Sequence, residues 1–318
     1  QSTQSRLRIE GDELVSTVNG TRYGIGQLSM PTLAELRARV NPDRGQRSSA
    51  RILTGDVGPL HSKLEFEGAL FQVASQFNLL EMPSQNVTPE AGVTKYVDDP
   101  TQGPACAMAA AAGSIYRNYF APVGEGIGQT RDRQLDALAG LGAALSELTG
   151  LPASTLWNMQ NGYALGTGEG LAAIGALLDT ASEDVLDTLR GELAIGLHRD
   201  VEVTDGSGRR VSQAYCSALP IGYSSHSSRS WEPFARLVLQ ASYEAVMLAA
   251  AEQASAGGSN TVLLTRIGGG VFGNGDDWID SAIERAMDIV KDAGLDIVIV
   301  EYRGISPGVQ RIVENYGG

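Results

Sequence analysis

The chain has 318 residues, of which 42% are hydrophobic and 19% are charged, enough for one or two domains with a sizeable core. The formal net charge is −13 and the Lys and Arg residues are scattered. A sequence-independent grip on nucleic acid needs a dense cationic face, so no nucleic-acid partner is expected. No run reaches the roughly eighteen uninterrupted apolar residues of a membrane span, so no membrane partner is expected either.

The cysteines and histidines indicate neither a disulfide scaffold nor a metal site. Cys106 and Cys216 lie in apolar surroundings, which predicts buried free thiols. His61, His198 and His226 show no metal-ligand spacing, so we expect no metal and no cofactor. The compartment is not determined by the sequence, and the cytoplasm is expected rather than secretion.

The first part of the chain contains a polar segment followed by a tighter apolar pattern. Residues 1–50 hold short alternating pieces and one amphipathic helical piece, and are interpreted as an N-terminal extension. Two buried strands and a closely packed helix are then predicted at 51–54, 69–74 and 105–115. The long loop at 81–103 separates the second strand from the helix, and loops of this length in a compact domain are often functional.

The second part changes from helical segments to an alternation of helices and strands. Helical periodicity at 131–149, 169–178 and 184–197 predicts a large helical insertion at about 124–200, and a β-hairpin is expected at 200–205 and 209–218. The last third alternates, with helices at 231–255 and 277–293 and strands at 261–265 and 297–302. This alternation predicts crossover units and a mainly parallel sheet, whose ligands lie at the carboxyl ends of the strands.

A glycine-rich loop connects the last of these strand–helix pairs. Its residues are Gly268, Gly269, Gly270, Val271, Phe272, Gly273 and Asn274. Without Cβ atoms a backbone can approach a diphosphate closely, and amides near a helix N-terminus satisfy anionic oxygens. The loop therefore predicts a phosphate-bearing ligand, the alternative being a turn that only reverses the chain. It is not a P-loop, because no Lys-Ser or Lys-Thr follows.

Carboxylates and amides are the candidate catalytic groups, because no serine, cysteine or lysine lies in a nucleophile motif. Glu81 and Asp99 belong to the long loop, and Asp276 and Asp277 follow the glycine loop. The second pair is equally explained as helix-capping residues. Asn78, at a strand end, could orient a sugar hydroxyl or a water. Two carboxylates around a sugar carbon are the usual equipment for cleaving a glycosidic bond.

Several of these segments resemble those of a macro domain, the module that binds ADP-ribose. Residues 54–57 resemble the family's Gly-Asp pair, which implies that Asp56, followed by Val57, holds the adenine amino group; Asp56 is otherwise a turn residue. The strand that ends at Asn78 resembles the asparagine-bearing strand, which implies a contact with the distal ribose. The glycine loop resembles the second phosphate loop, with Phe272 near the same ribose.

The chain also departs from the macro-domain pattern. The glycine-rich catalytic loop is replaced by residues 81–102, Ser75 stands where the motif often has a second Asn, and Ala105 stands where hydrolytic members often carry Asp. This divergence looks like the atypical, arginine-directed branch of macro-domain hydrolases, or like a distant cousin of the poly(ADP-ribose) glycohydrolases. The tandem glutamate signature of the latter is absent.

The resemblance implies an α/β fold: a three-layer α/β/α macro-domain-like arrangement over residues 51–318, with a mixed, mainly parallel sheet and the helical insertion. It implies an ADP-ribosylhydrolase whose partners are ADP-ribose and an ADP-ribosylated protein, and which cleaves the N-glycosidic bond to a modified side chain, arginine first. The alternatives are a non-catalytic reader of ADP-ribose, an enzyme similar to poly(ADP-ribose) glycohydrolase, and an unrelated nucleotide-sugar enzyme. In the last case Asn161, Gly162 and Tyr163 would be the first site to mutate, and otherwise they form a turn with a core tyrosine.

Overall fold

A computed structural model describes residues 3–302 and 304–316. The strands are β1 Leu7–Glu10, β2 Glu13–Ser16, β3 Arg22–Gly24, β4 Gln27–Ser29, β5 Ser49–Thr54, β6 Leu70–Ala74, β7 Pro122–Val123, β8 Gly126–Ile127, β9 Trp157–Gln160, β10 Tyr163–Gly166, β11 Gly196–Glu202, β12 Arg210–Cys216, β13 Thr261–Leu264 and β14 Asp296–Glu301. The helices are α1 Leu33–Arg39, α2 Val57–Leu60, α3 Gln102–Ala109, α4 Ala111–Tyr119, α5 Ala139–Thr149, α6 Ala153–Leu156, α7 Gly168–Thr180, α8 Glu183–Gly191, α9 Ser228–Ser255, α10 Asp276–Ile289 and α11 Pro307–Tyr316.

The centre of the molecule is a seven-stranded sheet in the order β4-β11-β12-β6-β13-β14-β5. The five strands from β12 to β5 are parallel to their neighbours, and β4 and β11 join one edge in antiparallel pairs. Parallel neighbours end at the same edge of a sheet, so the carboxyl ends of β6, β13, β14 and β5 lie side by side. The predicted mixed, mainly parallel α/β fold is confirmed.

Helices cover both faces of this sheet. Gln213 of β12 donates a hydrogen bond to the carbonyl of Cys106 in α3, and the guanidinium of Arg117 in α4 lies 3.5 Å from the ring centre of Tyr215. His198 of β11 faces the same side, because it also contacts Arg117. Successive side chains of a strand point to opposite faces, and the next residue, Arg199, pairs with Glu252 of α9 on the other side.

Helix α9 is the longest helix and belongs to the core. By length and composition alone it could cross a membrane, yet 89% of its most apolar window is buried inside the fold. It packs against α1, α7, α8 and α10. Buried Glu244 accepts hydrogen bonds from Arg37 of α1 and Arg285 of α10, so the apolar interior carries a charge that is fully paired.

Local periodicity misassigned several boundaries. The helix expected at 184–197 ends at Gly191, and β11 begins at Gly196 because that segment pairs with both β4 and β12. The helix expected at 131–149 begins at Ala139, since side-chain hydrogen bonds hold the preceding residues in a turn. The helix expected at 105–115 is divided into α3 and α4 at Ala110, where Thr204 bonds the end of α3. Cys106 and Cys216 are free and buried, as predicted.

Candidate functional site

A cleft of about 650 Å³ opens at the carboxyl ends of β6, β13 and β14. Sites that hold drug-sized ligands have volumes of roughly 300–1,000 Å³. The cleft lies where a parallel sheet is expected to bind a ligand. Its walls are Ala74, Ser75, Gln76, Glu81, Asp99, Pro100, Thr101, Gln102, Gly103, Tyr163, Ala218, Tyr223, Thr265, Arg266, Ile267, Gly268, Gly269, Gly270, Val271, Phe272, Val300, Glu301 and Tyr302.

The glycine loop forms one wall and is held open by its own side-chain brace. Gly268 has a φ of 79°, and a Cβ there would come within 2.5 Å of Ala218 Cβ. Buried Asn274 donates from Nδ2 to the carbonyls of Leu219 and Gly268. Within residues 3–302 and 304–316, four loop amides donate to no protein acceptor: Gly268, Gly270, Val271 and Phe272. These amides are available to an anionic ligand.

Glu81 carries the carboxyl group that reaches deepest into the cleft. The residue is only 4% exposed, and its Oε1 has no hydrogen-bond partner among the described residues. Burial raises the pKa of Glu81 well above its ordinary value; the charge of Arg117 opposes this and that of Asp99 adds to it. The side chain therefore keeps its proton to a higher pH than a free glutamic acid and can donate it inside the cleft.

Asn78 supports the Glu81 loop from below. It is fully buried, its Oδ1 accepts from the amide of Leu80, and its Nδ2 donates to Gln134 Oε1 at 2.8 Å. Both polar ends of the side chain are thus used within the protein, and Asn78 is not among the described residues that line the cleft. Its predicted contact with a ribose stays a prediction.

The long loop brings a second carboxylate, Asp99, into the cleft wall. Its Oδ1 accepts from the amide of Thr101 at 2.9 Å, which fixes the entry to α3. The neighbouring Gln102 accepts from the amide of Val57, so residues 56–57 lie behind Gln102. Exposed Asp56 caps α2 by accepting from Gly58 N, which is the turn role considered above. An adenine contact of Asp56 and Val57 remains a prediction.

Asp276 and Asp277 are outside the described lining of the cleft. Both lie in the first turn of α10, with side chains 83% and 72% exposed. Asp276 pairs with Arg266 at 2.6 Å, and Asp277 pairs with Arg236. The structure therefore brings Glu81 and Asp99 together at the cleft and directs the other two predicted catalytic carboxylates toward surface arginines.

Three aromatic rings meet at one end of the cleft. The ring centres of Tyr163, Tyr223 and Phe272 are 5.3 to 5.7 Å apart. Phe272 comes from the glycine loop, Tyr223 from the segment after β12, and Tyr163 from the β9–β10 hairpin of the insertion. Aromatic faces and edges are suitable surfaces for the apolar parts of a sugar or a base.

Sequence reasoning did not single out four other wall residues: Gln76, Tyr223, Arg266 and Glu301. Gln76 and Arg266 follow β6 and β13, and Glu301 is the last residue of β14. Polar residues at these strand ends were a usable signal, whereas the segment of Tyr223 carries no motif. No group of three or more His, Cys, Asp or Glu side chains suited to a metal ion occurs in the described part of the chain.

The chain matches no family model and no curated protein. It is similar to three solved structures. One is the poly(ADP-ribose) glycohydrolase from Deinococcus radiodurans in complex with ADP-ribose, with a TM-score of 0.49 at 12% identity over 91% of this chain and 93% of that chain. The enzyme of that name from Thermomonospora curvata gives 0.43 at 11% identity over 96% and 93%. The macrodomain from Oceanobacillus iheyensis with MES bound gives 0.35 at 11% identity over 91% and 95%.

Proposed function

We propose that this protein is an ADP-ribosylhydrolase: it binds ADP-ribose and hydrolyses the glycosidic bond that joins ADP-ribose to a modified side chain. The observation that carries the proposal is Glu81, a buried, protonated carboxyl with an unpartnered oxygen in a cleft whose opposite wall offers free backbone amides. Ala105 does not supply the carboxylate of other macro-domain hydrolases, and Glu81 supplies one from a different loop.

The ligand follows from the two walls and the resemblance to macro domains. The free amides of the glycine loop, at the N-terminal end of α10, hold the diphosphate. Phe272 and its aromatic neighbours Tyr163 and Tyr223 contact the distal ribose. The adenine extends toward the end of β5, where Asp56 and Val57 lie behind Gln102. This orientation places the anomeric carbon of the distal ribose near Glu81.

Hydrolysis then needs one proton donor and one proton acceptor. Glu81 gives its proton to the leaving atom as the bond between that atom and the anomeric carbon breaks. A water molecule bonds to the same carbon and releases a proton to Asp99, whose carboxylate also lines the cleft. Return of that proton to Glu81 through solvent restores the starting state, and the products are ADP-ribose and the unmodified side chain.

Arginine is the linkage we propose first. The described cleft wall holds three carboxyl groups, Glu81, Asp99 and Glu301, against the single cation Arg266. Arg266 is itself neutralised by Asp276 and Asp280. A cleft of this composition suits a guanidinium leaving group better than an acidic one.

The reader alternative is disfavoured by Glu81, since a module that only binds has no use for a buried carboxyl without a partner. The same carboxyl favours a second candidate, an enzyme similar to poly(ADP-ribose) glycohydrolase. A protonated acid is what the leaving oxygen of an O-glycosidic bond requires. The polymer therefore belongs among the substrates to be tested.

The test is calorimetry with free ADP-ribose, followed by incubation with three substrates: an arginine-ADP-ribosylated peptide, a glutamate-ADP-ribosylated peptide and poly(ADP-ribose). We expect binding of ADP-ribose and its release from the arginine-linked peptide. Release from the polymer instead would select the second candidate. Binding without release from any substrate would reduce the protein to a reader, and no binding at all would contradict the ligand itself.

A further inference from the structure

The loop between β6 and Glu81 is an unusual piece of backbone. Leu79 has a φ of 64°, a left-handed conformation that a leucine adopts at a cost in free energy. The amide of Leu79 donates to the carbonyl of Gln76, and the amide of Gln76 donates to the carbonyl of Leu80. Strain of this kind persists only where surrounding contacts fix the chain, so the contacts that fix Glu81 can be identified.

The side chain of Gln76 binds both polar backbone groups of Met82, the residue next to Glu81. Its Oε1 accepts from Met82 N at 3.0 Å, and its Nε2 donates to the Met82 carbonyl at 3.2 Å. Gln76 is 5% exposed, so water competes little for these hydrogen bonds. Together they hold the peptide groups on either side of Met82 and, with them, the backbone that carries the Glu81 side chain.

The β9–β10 hairpin of the insertion reinforces the same loop. Tyr163 donates from its hydroxyl to the Met82 carbonyl at 3.2 Å, and Phe77 N donates to the carbonyl of Gly162. Asn161 donates from Nδ2 to the Gln85 carbonyl at 2.7 Å. Asn161 and Gly162 both have positive φ, as a two-residue hairpin turn requires, so the turn itself is aimed at the Glu81 loop.

We propose that Gln76 is a positioning residue that fixes the orientation of the Glu81 carboxyl in the cleft, and that the β9–β10 hairpin acts with it through the Tyr163 hydroxyl. This inference rests on the proposed function, because it gives Gln76 a role through Glu81. It also gives the insertion a role: its hairpin holds the acid loop in place.

The test compares Gln76→Leu with Gln253→Leu. Gln253 is a matched control, because its Nε2 also donates to two loop carbonyls, those of Gly68 and Ser259, at the amino ends of β6 and β13. We expect Gln76→Leu to lower kcat about 10- to 100-fold, since a displacement of about 1 Å costs a catalytic group roughly 100-fold. The Kd for ADP-ribose should stay within about threefold, and Gln253→Leu should keep the wild-type kcat.

Two readouts separate positioning from loss of stability. The activity of the wild type falls as pH rises and Glu81 loses its proton, and a loosened loop admits water, so the alkaline limb of Gln76→Leu should move to lower pH. In the Glu81→Gln background, Gln76→Leu should change kcat by less than about twofold, because there is no acid left to position. Should Gln76→Leu fail to fold, Tyr163→Phe removes only the hydroxyl and should lower kcat about 3- to 10-fold with the same shift of the alkaline limb.

The outcomes distinguish the two proposals. Wild-type kcat and pH profile in Gln76→Leu, or in Tyr163→Phe where that variant is used, would overturn the inference while an inactive Glu81→Gln left the proposed function standing. Equal losses of kcat with and without Glu81 would also overturn it. A wild-type protein that hydrolysed no ADP-ribosyl substrate would contradict the proposed function, and the inference with it.

Discussion

Gly103 and Glu81 are packed so closely that no side chain fits between them. A Cβ placed on Gly103 would lie 2.6 Å from Glu81 Oε2 and 2.5 Å from the carbonyl oxygen of Ala74. The amino end of α3 thus presses the Glu81 carboxyl toward the cleft. The glycine at this position is required by close approach, and its φ plays no part.

Gly103→Ala should therefore damage the site from behind. The new methyl group must displace either the β6 backbone or the Glu81 carboxyl, and overpacking of this kind costs about 1–3 kcal/mol of stability. We expect a loss of hydrolysis of at least about tenfold together with a lower Tm, measured by ADP-ribose release and thermal denaturation. Full activity in this variant would show that the position of Glu81 is unimportant.

Glu81→Gln should make the protein more stable at high pH. The pKa of Glu81 is raised in the folded state above its ordinary value of 4.5, so its contribution to stability is complete below that pH and is lost as pH rises through the folded-state pKa. Glutamine has no charge to bury. The Tm of the variant should equal that of the wild type near pH 4 and exceed it by several degrees at pH 8.

The buried histidines do not affect this comparison. Burial lowers the pKa of His61 to about 4 and that of His198 to about 3, which destabilises the fold as pH falls below their ordinary value of 6.5. Both variants contain them, so their effect cancels in the difference in Tm. A Tm difference that did not change with pH would mean that Glu81 is not protonated by burial.

Gly270→Ala should weaken ligand binding without disturbing the fold. No atom lies within 4 Å of a Cβ at this position, so the methyl group enters the cleft beside the free loop amides. We expect a 10- to 100-fold rise in the Kd for ADP-ribose by calorimetry at unchanged Tm. Gly175→Ala, in α7, is the control: its Cβ also has no atom within 4 Å, and it should leave the Kd unchanged. Unaltered binding in Gly270→Ala would remove the diphosphate from this loop.

The double variant Asp276→Asn, Asp277→Asn tests the predicted catalytic carboxylates that the structure turns outward. Both are exposed and paired with arginines, and neither is among the described cleft residues. Exposed pairs contribute little, so we expect kcat within about threefold of the wild type and a nearly unchanged Tm. A loss of 100-fold or more would return one of them to the chemistry.

The glycine loop and its place at a sheet edge could be predicted because the pattern is local. A strand, a run of small residues and an amphipathic helix follow one another in the chain, and this order alone defines the connection. Glu81 and Asp99 were candidates for a similar reason, since both belong to one long polar loop. Their selection over Asp276 and Asp277 was not predictable, because adjacency in sequence does not say which way a side chain leaves the first helical turn.

The contribution of the insertion depends on long-range contacts. Tyr163 meets Met82 and Phe272 only after the sheet has formed, and nothing in the sequence around Asn161 indicates which loop its hairpin turn contacts. The break at Ala110 and the early start of β11 have the same origin. In each case pairing with a distant segment overrides the local helical pattern.

The most direct test of the central claim is the rate of ADP-ribose release from an arginine-ADP-ribosylated peptide at pH 7, measured for the wild type and for Glu81→Gln. We predict release by the wild type and a loss of at least about 100-fold in the variant, which should still bind ADP-ribose with a Kd within about threefold. Equal rates of release in the two proteins would contradict the assignment of Glu81 as the acid on which this account depends.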